Sequence, residues 1–248
     1  MTGAFLWGLV AAASLVVGGL IALWFDIGKR TLGAIMAFGA GVLISAVAYE
    51  LVFEAVQISE VRGPATLGFF SGALTFFVAD WLIGRMGGAD RKGIEASHQS
   101  SLVVPLVLGI ILDGIPESVV IGLGILQGGA VSLGMLAAVF ISNIPEAVAG
   151  TTGMRAGGWS SARILTLWLS IAIVCALASA GGYSLLSGVS PSWIAVVQTF
   201  AGGAILMMLA NTMIPEAYEH GGKLAGVFTV MGFAVSVWII VLEHSGMG

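Results

Sequence analysis

The stretch SLVVPLVLGIILDGIPESVVIGLGILQ, residues 101–127, is an apolar run interrupted by the segment Asp113-Gly-Ile-Pro-Glu117. A carboxylate in the bilayer core costs about 2.5 kcal/mol or more, so such residues face a bundle interior or a cavity and usually serve function. Pro116 lacks an N–H and therefore frees the carbonyl oxygen of Leu112, four residues earlier. The stretch is predicted to be a membrane-spanning helix that carries oxygen ligands for a cation.

The whole chain has the composition of an integral membrane protein. It is 58% hydrophobic and only 9% charged over 248 residues, whereas soluble domains carry about 25% charged residues. A helical span needs about 20 apolar residues, and the sequence supplies eight such runs. They cover residues 3–25, 31–56, 64–87, 101–127, 130–154, 162–187, 192–217 and 222–244. The predicted fold is an all-α, eight-span bundle forming one domain, residues 1–248.

The basic residues predict the orientation of these spans. Lys and Arg concentrate on the cytoplasmic side of membrane proteins, and eight of the nine lie in or beside the first, third, fifth and seventh loops, with only Arg62 on the other side. The eight are Lys29, Arg30, Arg85, Arg91, Lys92, Arg155, Arg163 and Lys223. Both termini are therefore predicted to lie outside the cytoplasm.

Two segments of the chain resemble each other. Residues 39–55 read GAGVLISAVAYELVFEA and residues 201–217 read AGGAILMMLANTMIPEA, and the predicted directions of these spans are opposite. This pattern is typical of the inverted repeats of transporters. It predicts three spans (residues 1–87), a central pair (101–154) and three spans (162–248). The alternative is that Gly- and Ala-rich spans resemble one another by composition alone.

A second segment, Ser142-Asn-Ile-Pro-Glu146, matches the first. Residues i and i+4 share a helix face, so Asp113 with Glu117, and Ser142 with Glu146, each form an oxygen pair at mid-membrane depth. Together with Asn143 and the carbonyl oxygens freed by the prolines, they form an all-oxygen set suited to a divalent cation. The alternatives are prolines that only kink the helices, with protonated acids paired to each other, or acids that carry protons.

At these residues the chain resembles the ZIP (Zrt/Irt-like) family of divalent metal transporters. Pro116-Glu117 and Pro145-Glu146 match that family's motifs, in which the fourth span typically reads His-Asn-x-Pro-Glu-Gly. The chain departs from the family pattern at four positions: Asp113 replaces His, Gly114 replaces Asn, Ser142 replaces His or Gln, and Ser179 stands where a bridging Glu is expected. The resemblance implies metal transport with zinc as the default ion. The missing imidazoles favour manganese, magnesium or iron(II).

Further acids and polar residues lie near the ends of two spans. Glu50 and Glu54, near the outer end of the second span, are predicted to attract cations into a vestibule. Residues at the inner end of the seventh span resemble the family's cytoplasmic exit site. These are Glu216, Glu219 and His220, with Asn211 lining the path a turn above. For both groups the alternative is an ordinary solvated helix end. Cys175, the single cysteine, is interpreted as a packing residue.

The expected function is transport, not catalysis. The metal ion is the substrate, and we expect no organic cofactor and no nucleic-acid partner; the lipid bilayer is a partner and a homodimer is left open. The expected location is the cell (plasma) membrane. Two alternatives remain, a metal-binding or regulatory protein that has lost transport and an intramembrane hydrolase. The sequence contains no His-Glu-x-x-His, Gly-x-Gly-Asp or Gly-x-Ser-x-Gly motif, which argues against the hydrolase.

Overall fold

The computed structural model describes residues 1–58, 62–85, 103–128 and 131–245. Within these ranges, eight helices are long and apolar enough to cross a membrane. They are α1 (Thr2–Trp24), α2 (Lys29–Gln57), α3 (Arg62–Ile83), α4 (Val103–Gly128), α5 (Leu133–Ala156), α6 (Ser161–Leu186), α7 (Pro191–Gly221) and α8 (Leu224–Ser245). The prediction of an all-helical protein with eight spans is confirmed. Arg91 and Lys92 lie outside the described residues.

Local sequence signals set several helix ends. Ser132 caps the start of α5, where its hydroxyl accepts a hydrogen bond from the Met135 N–H at 3.1 Å. Pro191 occupies the first turn of α7, where its missing N–H costs nothing. Gly158 and Gly188 follow α5 and α6 with φ of 79° and 84°. Such left-handed backbone conformations favour glycine and interrupt the helical path, so the two glycines end the helices there.

Two of the long helices contain a π-helical segment. In α2 it covers Val47–Phe53, and in α7 it covers Leu209–Met213. Each begins eight residues after the start of one of the two similar sequence segments, which start at Gly39 and Ala201. Widened turns of this kind are rare and occur frequently at functional sites. The apolar runs predict continuous helices here, and the sequence carries no separate signal for the π turns.

The helices form two four-helix units. In the first, α1 packs on α5 and α6, and α4 packs on α6. In the second, α3 packs on α7, and α2 packs on α8 and α7. We call these the α4–α5 unit (α1, α4, α5, α6) and the α2–α7 unit (α2, α3, α7, α8). The main contacts between the units are those of α2 with α5 and of α4 with α7.

The α2–α8 crossing depends on glycine. A Cβ atom added at Gly41 would lie 1.9 Å from the carbonyl oxygen of Thr229, and one added at Gly232 would lie 2.0 Å from that of Phe38. No side chain fits at either position. The two helix backbones therefore touch directly, as small residues allow in membrane helices.

The α3–α7 crossing repeats this arrangement. A Cβ atom at Gly203 would lie 1.9 Å from the carbonyl oxygen of Phe69, and one at Gly72 would lie 1.9 Å from that of Phe200. Moving Gly41 and Phe38 along the chain by 162 residues gives Gly203 and Phe200. An inverted repeat of α2–α3 in α7–α8 produces such a duplicated crossing. The three-two-three arrangement of the whole bundle stays a prediction.

Candidate metal site

The five polar residues of the two motifs are all buried. Asp113 and Glu117 of α4 are each 2% exposed, and Ser142, Asn143 and Glu146 of α5 are 0%, 6% and 7% exposed. Both prolines lie inside their helices, Pro116 in α4 and Pro145 in α5. Because burial this deep excludes the lipid-facing surface, these side chains face the interior of the bundle.

The two motif helices touch each other only slightly. The main partner of α4 is α6, and that of α5 is α1. A Cβ atom at Gly18 of α1 would lie 2.5 Å from the carbonyl oxygen of Ile144, and one at Gly182 of α6 would lie 2.7 Å from that of Val119. The close backbone packing of α1 and α6 therefore positions the two motif helices.

The α5 motif also lies against the α2–α7 unit. A Cβ atom at Gly39 of α2 would lie 3.1 Å from the Ser142 Cα atom and 3.6 Å from the Ile141 carbonyl oxygen, which Pro145 leaves without its helical donor. The Met213 methyl group of α7 lies 3.3 Å from the same position. The Ser142 hydroxyl donates to the Val139 carbonyl at 3.0 Å. The candidate site is thus at the boundary between the two units.

Cys175 of α6 faces the α4 motif. Its Sγ atom lies 2.9 Å from the position that a Cβ atom at Gly114 would occupy. On the same turn of α4, the Ser118 hydroxyl donates to the Gly114 carbonyl at 2.7 Å. The sequence analysis interpreted Cys175 as a packing residue. No spacing within the sequence relates it to α4, since the contact arises only from the way α6 packs.

Ser179 lies one turn after Cys175 and is directed differently. Its hydroxyl donates to the Ala4 carbonyl on α1 at 2.8 Å, and its side chain fills the space beside Gly8. This hydrogen bond therefore stabilises the packing of α6 on α1. A ligand role for Ser179 stays a prediction.

In the part of the chain that the structure describes, no three His, Cys, Asp or Glu side chains form a group that could hold a metal ion. The motif acids lie at buried positions on two helices of the same unit, but they do not converge into a chelate. Metal binding by these residues stays a prediction.

One end of the bundle holds a vestibule. We call it the terminal face, because α8 ends there, as do α2 and α4, and α5 and α7 begin there. The cavity is about 1000 Å³ in volume and is lined by all five of these helices. Glu50 and Glu54 line it, and so do Gln198 of α7 and Glu243 of α8, which no sequence motif marks. Attraction of cations by Glu50 and Glu54 stays a prediction.

The second predicted acidic group lies at the opposite end of α7. Glu216 is buried at 9% exposure, Glu219 is exposed and His220 is half-buried. A Cβ atom at Gly33 would lie 2.9 Å from the His220 Cβ atom, so His220 packs against the start of α2. The exposed Asn211 belongs to the π-helical segment of α7. Glu216 and His220 thus share the interior side of this helix end, whereas Glu219 does not.

Comparison with known proteins gives a relative that aligns with almost the whole chain. No family model matches the sequence. The chain is 26% identical over 251 aligned positions, covering 95% of the chain and 80% of the relative, to the zinc transporter ZIPB of Bordetella bronchiseptica (strain ATCC BAA-588 / NCTC 13252 / RB50). With the eight apolar helices, this similarity supports distant membership of the ZIP family.

Proposed function

We propose that the protein transports a divalent metal cation across a membrane through the buried acidic site of α4 and α5. The observation that carries the proposal is the burial of Asp113, Glu117 and Glu146 on two proline-containing helices inside an apolar bundle. Acidic side chains inside a membrane bundle are costly to keep and usually mark ion pathways. The similarity to a zinc transporter supports the same function.

The geometry supports a path that follows the boundary between the two units. Glu50 and Glu54 raise the local cation concentration in the vestibule. The ion then reaches the α4–α5 site, where Ser142 and Asn143 add neutral oxygen ligands to the carboxylates. Glu216 and His220 bind the ion at the opposite end of the bundle, after it passes Asn211. Movement of the α4–α5 unit against the α2–α7 unit exposes the site to each side in turn, as in other repeat-built transporters.

The ion that the site prefers depends on its ligands. The relative's name specifies zinc, and the motif residues of this chain offer oxygen without imidazole, which suits manganese or iron(II) as well. The buried Cys175 thiol, which lies against Gly114 of the α4 motif, is a soft group of the type that zinc accepts. We therefore propose zinc as the first ion to test, with manganese and iron(II) next.

The proposed location is the cell membrane, with both termini on the extracytoplasmic side. Since α1 begins and α8 ends on the terminal face, the vestibule would open to the outside. The chain could also have retained metal binding while losing transport, since Asp113, Gly114 and Ser142 depart from the family pattern. Measured flux separates the two functions, because only a transporter moves metal between compartments.

Metal flux into proteoliposomes that hold a divalent-sensitive dye tests the proposal. We expect saturable uptake of at least one of zinc, manganese or iron(II), and loss of uptake to the level of empty liposomes in Glu117→Ala and in Glu146→Ala. Asp26→Ala is the matched control, since Asp26 is fully exposed in the loop after α1. The proposed site is wrong if either glutamate variant, folded as judged by size-exclusion chromatography, transports at the unsubstituted rate.

A further inference from the structure

The first turn of α5 is held by a carboxylate from α8. Glu243 accepts hydrogen bonds from the N–H groups of Leu133 at 3.1 Å and Gly134 at 3.3 Å, and its other contact is the Ser132 hydroxyl at 3.5 Å. The N-terminus of a helix carries unpaired N–H groups and a partial positive charge, so it stabilises a carboxylate. Glu243 thereby connects α8 of one unit to α5 of the other.

A second carboxylate, from α2, meets the same turn. Glu50 accepts a short hydrogen bond from the Ser132 hydroxyl and is only 6% exposed. Its Oε1 atom lies 2.1 Å from the position that a Cβ atom at Gly134 would occupy, so in this arrangement the carboxylate fills the space that a side chain there would need. Ser132 thus stands between two acids of the α2–α7 unit, within the same turn of α5.

A chain of amides extends this connection to α4. The Gln198 side chain of α7 donates to the Glu50 backbone carbonyl at 2.8 Å, and the Gln127 side chain of α4 donates to the Gln198 side-chain oxygen at 3.2 Å. Gln198 is buried at 2% exposure. At the terminal face, polar contacts therefore join both motif helices to the opposite unit.

The vestibule ends on an apolar floor directly beneath these contacts. Leu51 of α2, Val120 and Ile121 of α4, and Met135 of α5 line it, and each is at most 4% exposed. Val120 and Ile121 lie three and four residues beyond Glu117, one helical turn nearer the terminal face. In this structure, a turn of apolar side chains on α4 therefore lies between the vestibule and Glu117.

We propose that Glu50 and Glu243 form a latch on the first turn of α5 that keeps the vestibule closed off from the α4–α5 site. The latch rests on the proposed function for its purpose, since it controls the passage of an ion. Its carboxylates belong to the α2–α7 unit and their donors to the α4–α5 unit. Any separation of the units at the terminal face must break these hydrogen bonds first.

Accessibility of the vestibule floor tests the latch without measuring transport. In a Cys175→Ala protein, Val120→Cys supplies one reporter thiol, and an impermeant methanethiosulfonate reagent is added from the terminal face. We expect Glu243→Gln, Glu50→Gln and Ser132→Ala each to speed modification by about tenfold, the factor for losing one hydrogen bond to a charged group. Glu54→Gln is the control: Glu54 lines the same vestibule, and its helical segment packs on α7 and α3 rather than on α5.

A cross-link gives a second, independent measurement. Cysteines at Ser132 and Glu243, joined by a short bifunctional methanethiosulfonate, should stop metal flux, and a reductant should restore it. Flux that continues through the cross-linked protein, or equal modification rates in the latch variants and the unsubstituted reporter protein, overturns the latch. Faster modification in a protein that moves no metal would leave the latch standing while removing the proposed transport.

Discussion

At the residue scale, the close approach of Cys175 to Gly114 limits the size of the side chain that position 114 of the α4 motif can hold. Gly114 stands where ZIP proteins typically have Asn, and the Cys175 Sγ atom occupies the space that a larger residue would need, 2.9 Å from the ideal Cβ position. The thiol is buried at 3% exposure. The departure from the family pattern at Gly114 is therefore paired with a particular side chain on α6, which the sequence does not indicate.

This pairing predicts a compensating double substitution. Gly114→Ala should destabilise the protein by about 1–3 kcal/mol, because the added methyl group overpacks a filled space. Cys175→Ala removes the sulfur atom, so the double variant should recover most of that loss. The free energies of unfolding of the four proteins, obtained in mild detergent, form a double-mutant cycle. Strictly additive effects would show that the two side chains do not compete for space.

At the element scale, glycine determines how the helices of the α2–α7 unit cross. Gly41 on α2 and Gly203 on α7 each face a main-chain carbonyl oxygen of the neighbouring helix at 1.9 Å from an added Cβ. A main-chain atom cannot turn aside as a flexible side chain can. The helices themselves would have to separate to accept a side chain at either position, and the long crossings would lose contact over several turns.

We expect Gly41→Ala and Gly203→Ala to lower the free energy of unfolding by similar amounts, on the order of 1–3 kcal/mol or more. The amounts should be similar because the same type of helix crossing is disturbed in each. Thermal unfolding followed by size-exclusion chromatography measures the loss. Gly226→Ala of α8 is the control, since nothing lies within 4 Å of its added Cβ; there the methyl group should slightly stabilise the helix. Stability that falls in Gly226→Ala as much as in Gly41→Ala would contradict the packing argument.

At the scale of the whole molecule, the two faces of the bundle differ in their positive charge. Lys29, Arg155, Arg163 and Lys223 lie at helix ends on the face opposite the vestibule. Since Lys and Arg near span ends remain on the cytoplasmic side, the terminal face with its vestibule is expected to be extracytoplasmic. Ions would then enter at the acidic vestibule and leave beside Glu216 and His220.

Thiol labelling of intact cells checks this orientation. In the Cys175→Ala background, Thr2→Cys at the start of α1 should react with an impermeant maleimide added outside. Lys223→Cys, in the exposed turn between α7 and α8, should react only after the membrane is permeabilised. The opposite result for the pair would reverse the orientation and place the vestibule at the exit side of the path.

Sequence reasoning was strongest for features that depend on one helix at a time. Apolar run length predicted all eight spans to within a few residues, because the bilayer thickness sets the length of a spanning helix. The i, i+4 rule placed Asp113 with Glu117, and Ser142 with Glu146, on buried faces, since helix geometry is the same in every context. The π-helical segments could not be predicted in this way, because a widened turn depends on the surrounding packing.

The sequence by itself thus determined the membrane-spanning helices and the burial of the motif acids, since each follows from the cost of placing polar groups in lipid. Only the tertiary structure decided which helices meet those acids. It placed Cys175 of α6, instead of Ser179, against the α4 motif, and it brought Glu50 and Glu243 to one turn of α5 although they are almost 200 residues apart. The physical reason is that contacts between helices depend on how backbones pack at glycine crossings, and that packing sets the rotation and height of each helix relative to its neighbours.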